Sequence, residues 1–396
     1  MEVQIENKKI PNKVFSIGIA LIVIGGILAA ASFIFNPDRA YFNYVIMYMF
    51  IVSIAIGSLG LVAMEYLVGA SWSVPFRRIS EFLSSVTPLL VLLVIPIILG
   101  MHTLYHWTHH DAVEADPILK GKEPYLNTSF FLIRLAIYFI IWIIFFIIFI
   151  RNSQKQDVTR DPKLTRRSVA FSALFAPLFI ITLTFLAVDL VMSLEPHYYS
   201  TMFGVYYFAG TLGVAFAALT LIAVLLKQNG YLDPRISNDQ FYSLGTMMFA
   251  FVIFWAYIAF SQFVLQWYAD IPDETFWYTM RWEGGWKYVS IGLLFFHFIL
   301  PFLILLPRST KTNLQKLKIM SIWMLAAHYL DMYWLVMPTY THAHGMHGPV
   351  FGWIEIGFPL IAVGLFMVAF KMKSNKTNLI PVGDPKLQNA LDFHLY

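Results

Sequence analysis

The chain reads as an all-α polytopic membrane protein with ten transmembrane helices. Three observations predict this. Hydrophobic residues make up 59% of the sequence and charged residues only 13%, whereas soluble domains carry about 25% charged residues. The apolar residues gather in ten runs, each close to the ~20 residues that cross a bilayer. The remaining charge is concentrated in alternate loops. Helices are the expected form because they satisfy their own backbone hydrogen bonds, which lipid cannot do.

The expected spans are 14–35, 42–70, 86–105, 130–150, 169–194, 202–226, 241–267, 287–306, 318–338 and 350–371. The first follows Lys8, Lys9 and Lys13 and passes Ala29, Ala30 and Ala31. That pattern imitates a signal peptide with a small-residue cleavage site, but the apolar run continues to Phe35, so it is read as a span. Residues 1–371 form one ten-helix domain. Residues 372–396 form a polar C-terminal tail, interrupted by Pro381 and Pro385 and expected to be an extended peripheral arm.

Most of the 27 lysines and arginines fall on one side: Lys8, Lys9 and Lys13, Arg77 and Arg78, the stretch from Arg151 to Arg167, Lys227 and Arg235, the stretch from Arg308 to Lys318, and everything from Lys371 onward. The other loops hold Arg39, Lys120, Lys122 and Arg281. The positive-inside rule places the basic set, and with it both termini, in the cytoplasm. The opposite face is rich in histidine (102, 106, 109, 110, 197, 342, 344 and 347) and carries Trp107, Trp277, Trp282 and Trp286. Such aromatic, weakly charged loops suit an extracytoplasmic docking surface.

There is no cysteine. Disulfides, thiolate-held zinc, cysteine-bound Fe–S clusters and covalently attached c-type haem are therefore excluded on this chain. No phosphate-binding loop, dinucleotide fingerprint or hydrolase elbow is present, and nothing points to nucleic acid. The loop His342-Ala343-His344-Gly345-Met346-His347 has a spacing that permits a transition metal, but imidazoles at a partner interface explain it equally well. No metal is assigned.

Ionisable groups inside spans carry the functional argument, because each costs several kcal/mol unless paired, hydrated or protonated. Asp189 lies about five residues, or roughly 7 Å, from the outer end of span five. Arg134 in span four, Asp331 in span nine and Glu355 in span ten are expected at similar depth, with Gln262 and Gln266 in span seven. These groups read as one outer polar layer. It fits a quinone headgroup pocket, a proton path, or a structural ion-pair layer whose remaining groups reach the headgroups. Glu195 and His197 extend it to the surface.

His297 and His328 are expected at matching depth in spans eight and nine. They suit a proton relay with Asp331, three residues beyond His328 on the same helix face, better than the axial ligation of a b-type haem. On the cytoplasmic half Glu65 is the main proton candidate.

The segment Asp189…Met192-Ser193-Leu194-Glu195-Pro196-His197-Tyr198…Ser200-Thr201-Met202-Phe203-Gly204-Val205-Tyr206 resembles the signature of the polysulfide-reductase-like (NrfD-like) membrane subunits of bacterial alternative complex III. His328-Tyr329…Asp331 and the closing stretch His347-Gly348-Pro349 to Trp353-Ile354-Glu355-Ile356-Gly357 fit the same proteins. With its lean loops, the chain is most similar to the smaller of the two such subunits. The resemblance implies two four-helix bundles (spans 2–5 and 6–9) flanked by spans 1 and 10, in the bacterial inner membrane.

It also implies a role as an auxiliary subunit of a quinol:cytochrome c or oxidase-linked oxidoreductase, with quinol possible at this chain. The partners implied are a second NrfD-like subunit, an Fe–S protein and c-type cytochromes bearing the haem and clusters, with a terminal oxidase as a further neighbour. A purely assembly-related role and an independent secondary transporter are the alternatives. Pro88, Pro96, Pro177 and Pro301 interrupt spans, but without the matching pair that a transporter's two halves usually show.

Overall fold

A computed structural model describes residues 9–395; Lys8 and Tyr396, which begin and end the basic and polar termini noted above, lie outside the described residues. Among the described residues, ten helices are long and apolar enough to cross a membrane: α1 Asn12–Phe35, α2 Pro37–Val68, α3 Val74–Leu99, α4 Thr128–Thr159, α5 Pro162–Leu194, α6 Met202–Gln228, α7 Asn238–Ala269, α8 Trp286–Leu305, α9 Leu314–Ala343 and α10 Trp353–Ser374. No strand occurs among the described residues. The chain is a multi-pass helical protein of the kind its composition predicts.

Local sequence sets the ends and the interruptions. The Asn36 side chain accepts from the Arg39 amide and Pro37 follows at the first helical position, a pairing that starts a helix efficiently. α2 ends at Gly69, which takes the left-handed conformation (φ 71°) that glycine accepts without strain. Ser237 and Gln240 cap α7 reciprocally.

Pro88 sits in a tightened 3₁₀ stretch of α3, Ser84–Leu89, and Pro96 opens the next short turn. In α8 the backbone widens to a π-helical turn at Leu294–Ile299. Pro301 explains it: its ring crowds the carbonyl four residues back, that of His297, and it offers no amide to that carbonyl.

α2 is buried along its whole apolar stretch and α6 along most of its own. α2 packs on α3, α5, α6, α9 and α10, and α6 packs in turn on α5, α7 and α9. The centre of the molecule is therefore the α2–α6–α9 contact. The opposed helices α1 and α10 pack mainly on each other. A Cβ on Gly25 would stand 2.6 Å from the Gly357 carbonyl, so only glycine permits this approach, as at small-residue interfaces in lipid.

One end of the molecule gathers histidines and the other arginines. At the arginine-rich end the tail departs from the expected extended arm. Leu379, Ile380, Leu387, Ala390 and Leu391 are buried against the helix ends. Asp384 meets Arg77 at 2.5 Å and Lys386 Nζ donates to the Gly69 carbonyl at 2.7 Å. Apolar residues spaced through the tail give it a face to bury, and buried Arg77 needs the carboxylate.

Candidate functional site

Asp189 is wholly buried near the end of α5. Arg134 of α4 grips it through Nε at 3.0 Å and Nη2 at 2.9 Å, and the Tyr125 and Tyr138 hydroxyls each donate to it at 2.9 Å. Arg134 also donates to the Tyr125 carbonyl at 2.8 Å and lies 3.8 Å over the Tyr125 ring. Both carboxylate oxygens are thus saturated by donors, which a charged group at this depth requires. Burial, and then the Asp189 charge, push the Tyr125 phenol above its usual range.

Just past Asp189, α5 tightens into a short 3₁₀ turn, Met192–Leu194, and the chain reverses through Glu195-Pro196. This reversal and the segment 121–126 enclose a cavity of about 320 Å³, walled by Lys122, Tyr125, Met192, Ser193, Tyr198 and Tyr199 among others. Lys122 pins the reversal by donating to the Pro196 and His197 carbonyls at 2.5 and 3.3 Å, and burial lowers its ammonium below the usual range. The cavity is mostly apolar with a few phenols, a hydroxyl and one amine, the mix that binds small ring-shaped ligands.

Behind it, the Tyr198 hydroxyl accepts from Gln262 at 2.7 Å and Gln266 at 2.8 Å, and the Tyr198 ring stacks on Trp277 at 4.8 Å. The Arg281 guanidinium lies 3.3 Å over the other ring system of this stack, that of Trp277, and donates to the Trp277, Trp334 and Leu335 carbonyls. Burial lowers Arg281 to about 9, opposed by the nearby Glu195. Burial in turn raises the Glu195 carboxyl, which Arg281 and His197 oppose.

The remaining residues singled out in the sequence do not join Asp189 and Arg134 but lie in separate clusters. Glu355 meets Arg39 at 2.6 Å and Asn43 at 3.0 Å, not Arg134. His197 reaches the surface and meets Asp116 at 2.5 Å. Glu65 meets Arg77 at 2.9 Å inside a buried network with Glu81, Arg78, Asp157 and Asp384. Glu355 has its own cation because Arg39 enters α2 two residues after Pro37 and so reaches α10 rather than the lipid headgroups.

Asp331 differs from these acids. Among the described residues no lysine or arginine lies within ion-pair distance of it. The Tyr206 hydroxyl donates to one oxygen, and Trp255 Nε1 donates to the other at 3.1 Å. His328 Nδ1 stands 4.0 Å from Asp331, while its Nε2 meets Ser53 Oγ at 3.1 Å. His297 closes the group, its ring 3.9 Å from the Trp255 ring and 6.3 Å from that of His328.

No family model matches this chain, and neither does any curated protein.

Sequence reasoning missed Tyr125, Tyr138, Arg39, Arg281, Trp255 and Tyr206. Tyr125 stands nine residues before Arg134 in a loop, and only the fold turns it back onto the same acid. Arg281 carried a signal, a lone cation among Trp277, Tyr278, Trp282 and Trp286, which reads more simply as an interfacial belt.

Proposed function

We propose that this chain is an integral subunit of a quinol-oxidising respiratory complex of the bacterial inner membrane, and that the cavity beside Asp189 receives the quinol headgroup. In this reading the histidine-rich end faces outward, the termini are cytoplasmic, and spans 2–5 and 6–9 act as the two bundles. The observation that carries the site is the double position of Tyr125, which walls the cavity and donates to buried Asp189 at 2.9 Å.

Oxidation of a quinol releases two electrons and two protons. The protein has no cysteine for an Fe–S cluster or c-type haem, so the electrons pass to centres on partner subunits, as the family resemblance implies. One of the two protons leaves the headgroup oxygen beside Tyr125 and passes to the Tyr125 oxygen as the phenol gives its own proton to Asp189. The other leaves the second headgroup oxygen for water at the cavity mouth, beside exposed Gly121 and Pro124. Arg134 and Tyr138 hold the carboxylate in place for that transfer. Lys122 and Ser193 offer polar contacts to ring oxygens, and the apolar wall receives the ring itself.

The test is Asp189→Asn in the intact complex, with subunit composition, quinol oxidation and proton release measured together. Loss of turnover with retained assembly supports the reading. Unchanged turnover and proton yield leave the Arg134–Asp189 pair as a tie between α4 and α5, which favours the purely structural role.

A further inference from the structure

We infer that His297, His328 and Asp331 form a binding site for a divalent first-row transition-metal ion in the core of the helical domain. One ring nitrogen of each histidine and one carboxylate oxygen all lie within 4.8 Å of one another. Two metal–ligand bonds of about 2.1 Å set ligand atoms no more than ~4.2 Å apart, so small side-chain rotations bring the three onto one ion.

The polar atoms left over point to the same conclusion. His297 is 2% exposed, and neither of its ring nitrogens has a protein hydrogen-bond partner. His328 is 1% exposed, and its Nδ1 likewise has none. Buried polar groups are nearly always satisfied, and orphans mark an ion, a water or a reactive centre. Here the orphaned nitrogens share a site with a carboxylate that has no cation.

The surroundings orient these ligands as the environment of a metal does. Ser53 holds His328 through Nε2, which leaves Nδ1 as the ring nitrogen on the side of Asp331. Tyr206 and Trp255 donate to the two oxygens of Asp331. The π-helical turn at Leu294–Ile299 carries His297, and such turns recur where a helix must aim a functional side chain. Gly210 leaves the space, since a Cβ there would stand 2.8 Å from His328 Cε1. Two imidazoles and one carboxylate select zinc, iron, manganese or a neighbouring ion over magnesium and calcium, which prefer oxygen. With three protein ligands the ion keeps an open position.

The site is independent of the quinol cavity, so either proposal can fail alone. The test is metal analysis of the purified full chain, as isolated and after chelator treatment followed by Zn²⁺ or Co²⁺. The expected result is about one ion per chain, with a Co²⁺ visible absorption band. His297→Ala should weaken binding by at least about a hundredfold, and Ser53→Ala, which keeps every ligand, by about tenfold. The His342, His344 and His347 triple alanine variant should bind as the parent does.

Sub-stoichiometric metal in a correctly folded parent chain overturns the proposal and leaves Asp331 neutralised by a proton. Binding that survives His297→Ala but disappears in the triple variant overturns it as well.

Discussion

The Tyr125 hydroxyl and Asp189 Oδ1 are 2.9 Å apart, although Tyr125 precedes α4 and Asp189 lies near the end of α5. The contact joins the wall of a cavity to the most deeply paired acid of that end of the molecule.

Tyr125→Phe removes the proton carrier but keeps the ring beneath Arg134. Quinol oxidation by the intact complex should fall about a hundredfold, with subunit composition unchanged. Steady-state kinetics beside a gel of the purified complex checks both halves of that expectation.

Arg134→Gln leaves Asp189 without its cation. Breaking a buried pair from one side costs about 3–5 kcal/mol, so the chain should unfold in detergent at a clearly lower temperature. Arg134→Gln with Asp189→Asn should recover much of that loss, because the buried charge is then gone. No recovery would mean that packing, not charge, sets the cost.

Much of this arrangement was legible in the sequence. A lone acid six residues before Glu195-Pro196 marked the end of α5, and the ten apolar runs marked the helices. What was hidden depends on tertiary geometry. Arg39 reads as a loop residue because the apolar run begins only near Phe42, whereas the Asn36-Pro37 pair starts α2 five residues earlier. His297, His328 and Asp331 are expected near one level, but the π-helical turn that carries His297 is not, because periodicity assumes a regular helix. The tail reads as polar because its buried apolar residues are separated by Pro381, Asp384 and Pro385.

Asp384→Ala takes a charged hydrogen-bond acceptor from Arg77 and should cost about 1.5–3 kcal/mol. Lys386→Ala, which loses only a contact to a backbone carbonyl, should cost less. Thermal unfolding of the two variants ranks them; the reverse order would show that the tail is not held through Arg77.

Acidification should release the loop helix Pro117–Lys122. Asp116 caps this helix through the Ile118 and Leu119 amides, and the hydrogen bond from His197 holds its carboxyl below the ordinary range. A depressed carboxyl contributes stability above its unfolded value, near ~3.9, and loses that contribution as pH falls through the lower folded value. Hydrogen exchange across 116–122, corrected for intrinsic rate, should accelerate below about pH 4. In His197→Gln the onset should move to higher pH, and an unchanged onset would remove His197 as the cause.

The most direct measurement is photolabelling of the intact complex with a photoreactive quinone, followed by peptide mapping. Label should appear in residues 121–126 and 188–199 of this chain and be displaced by excess unlabelled quinone. Label confined to other subunits, with none on these two segments, would contradict a quinol site beside Asp189.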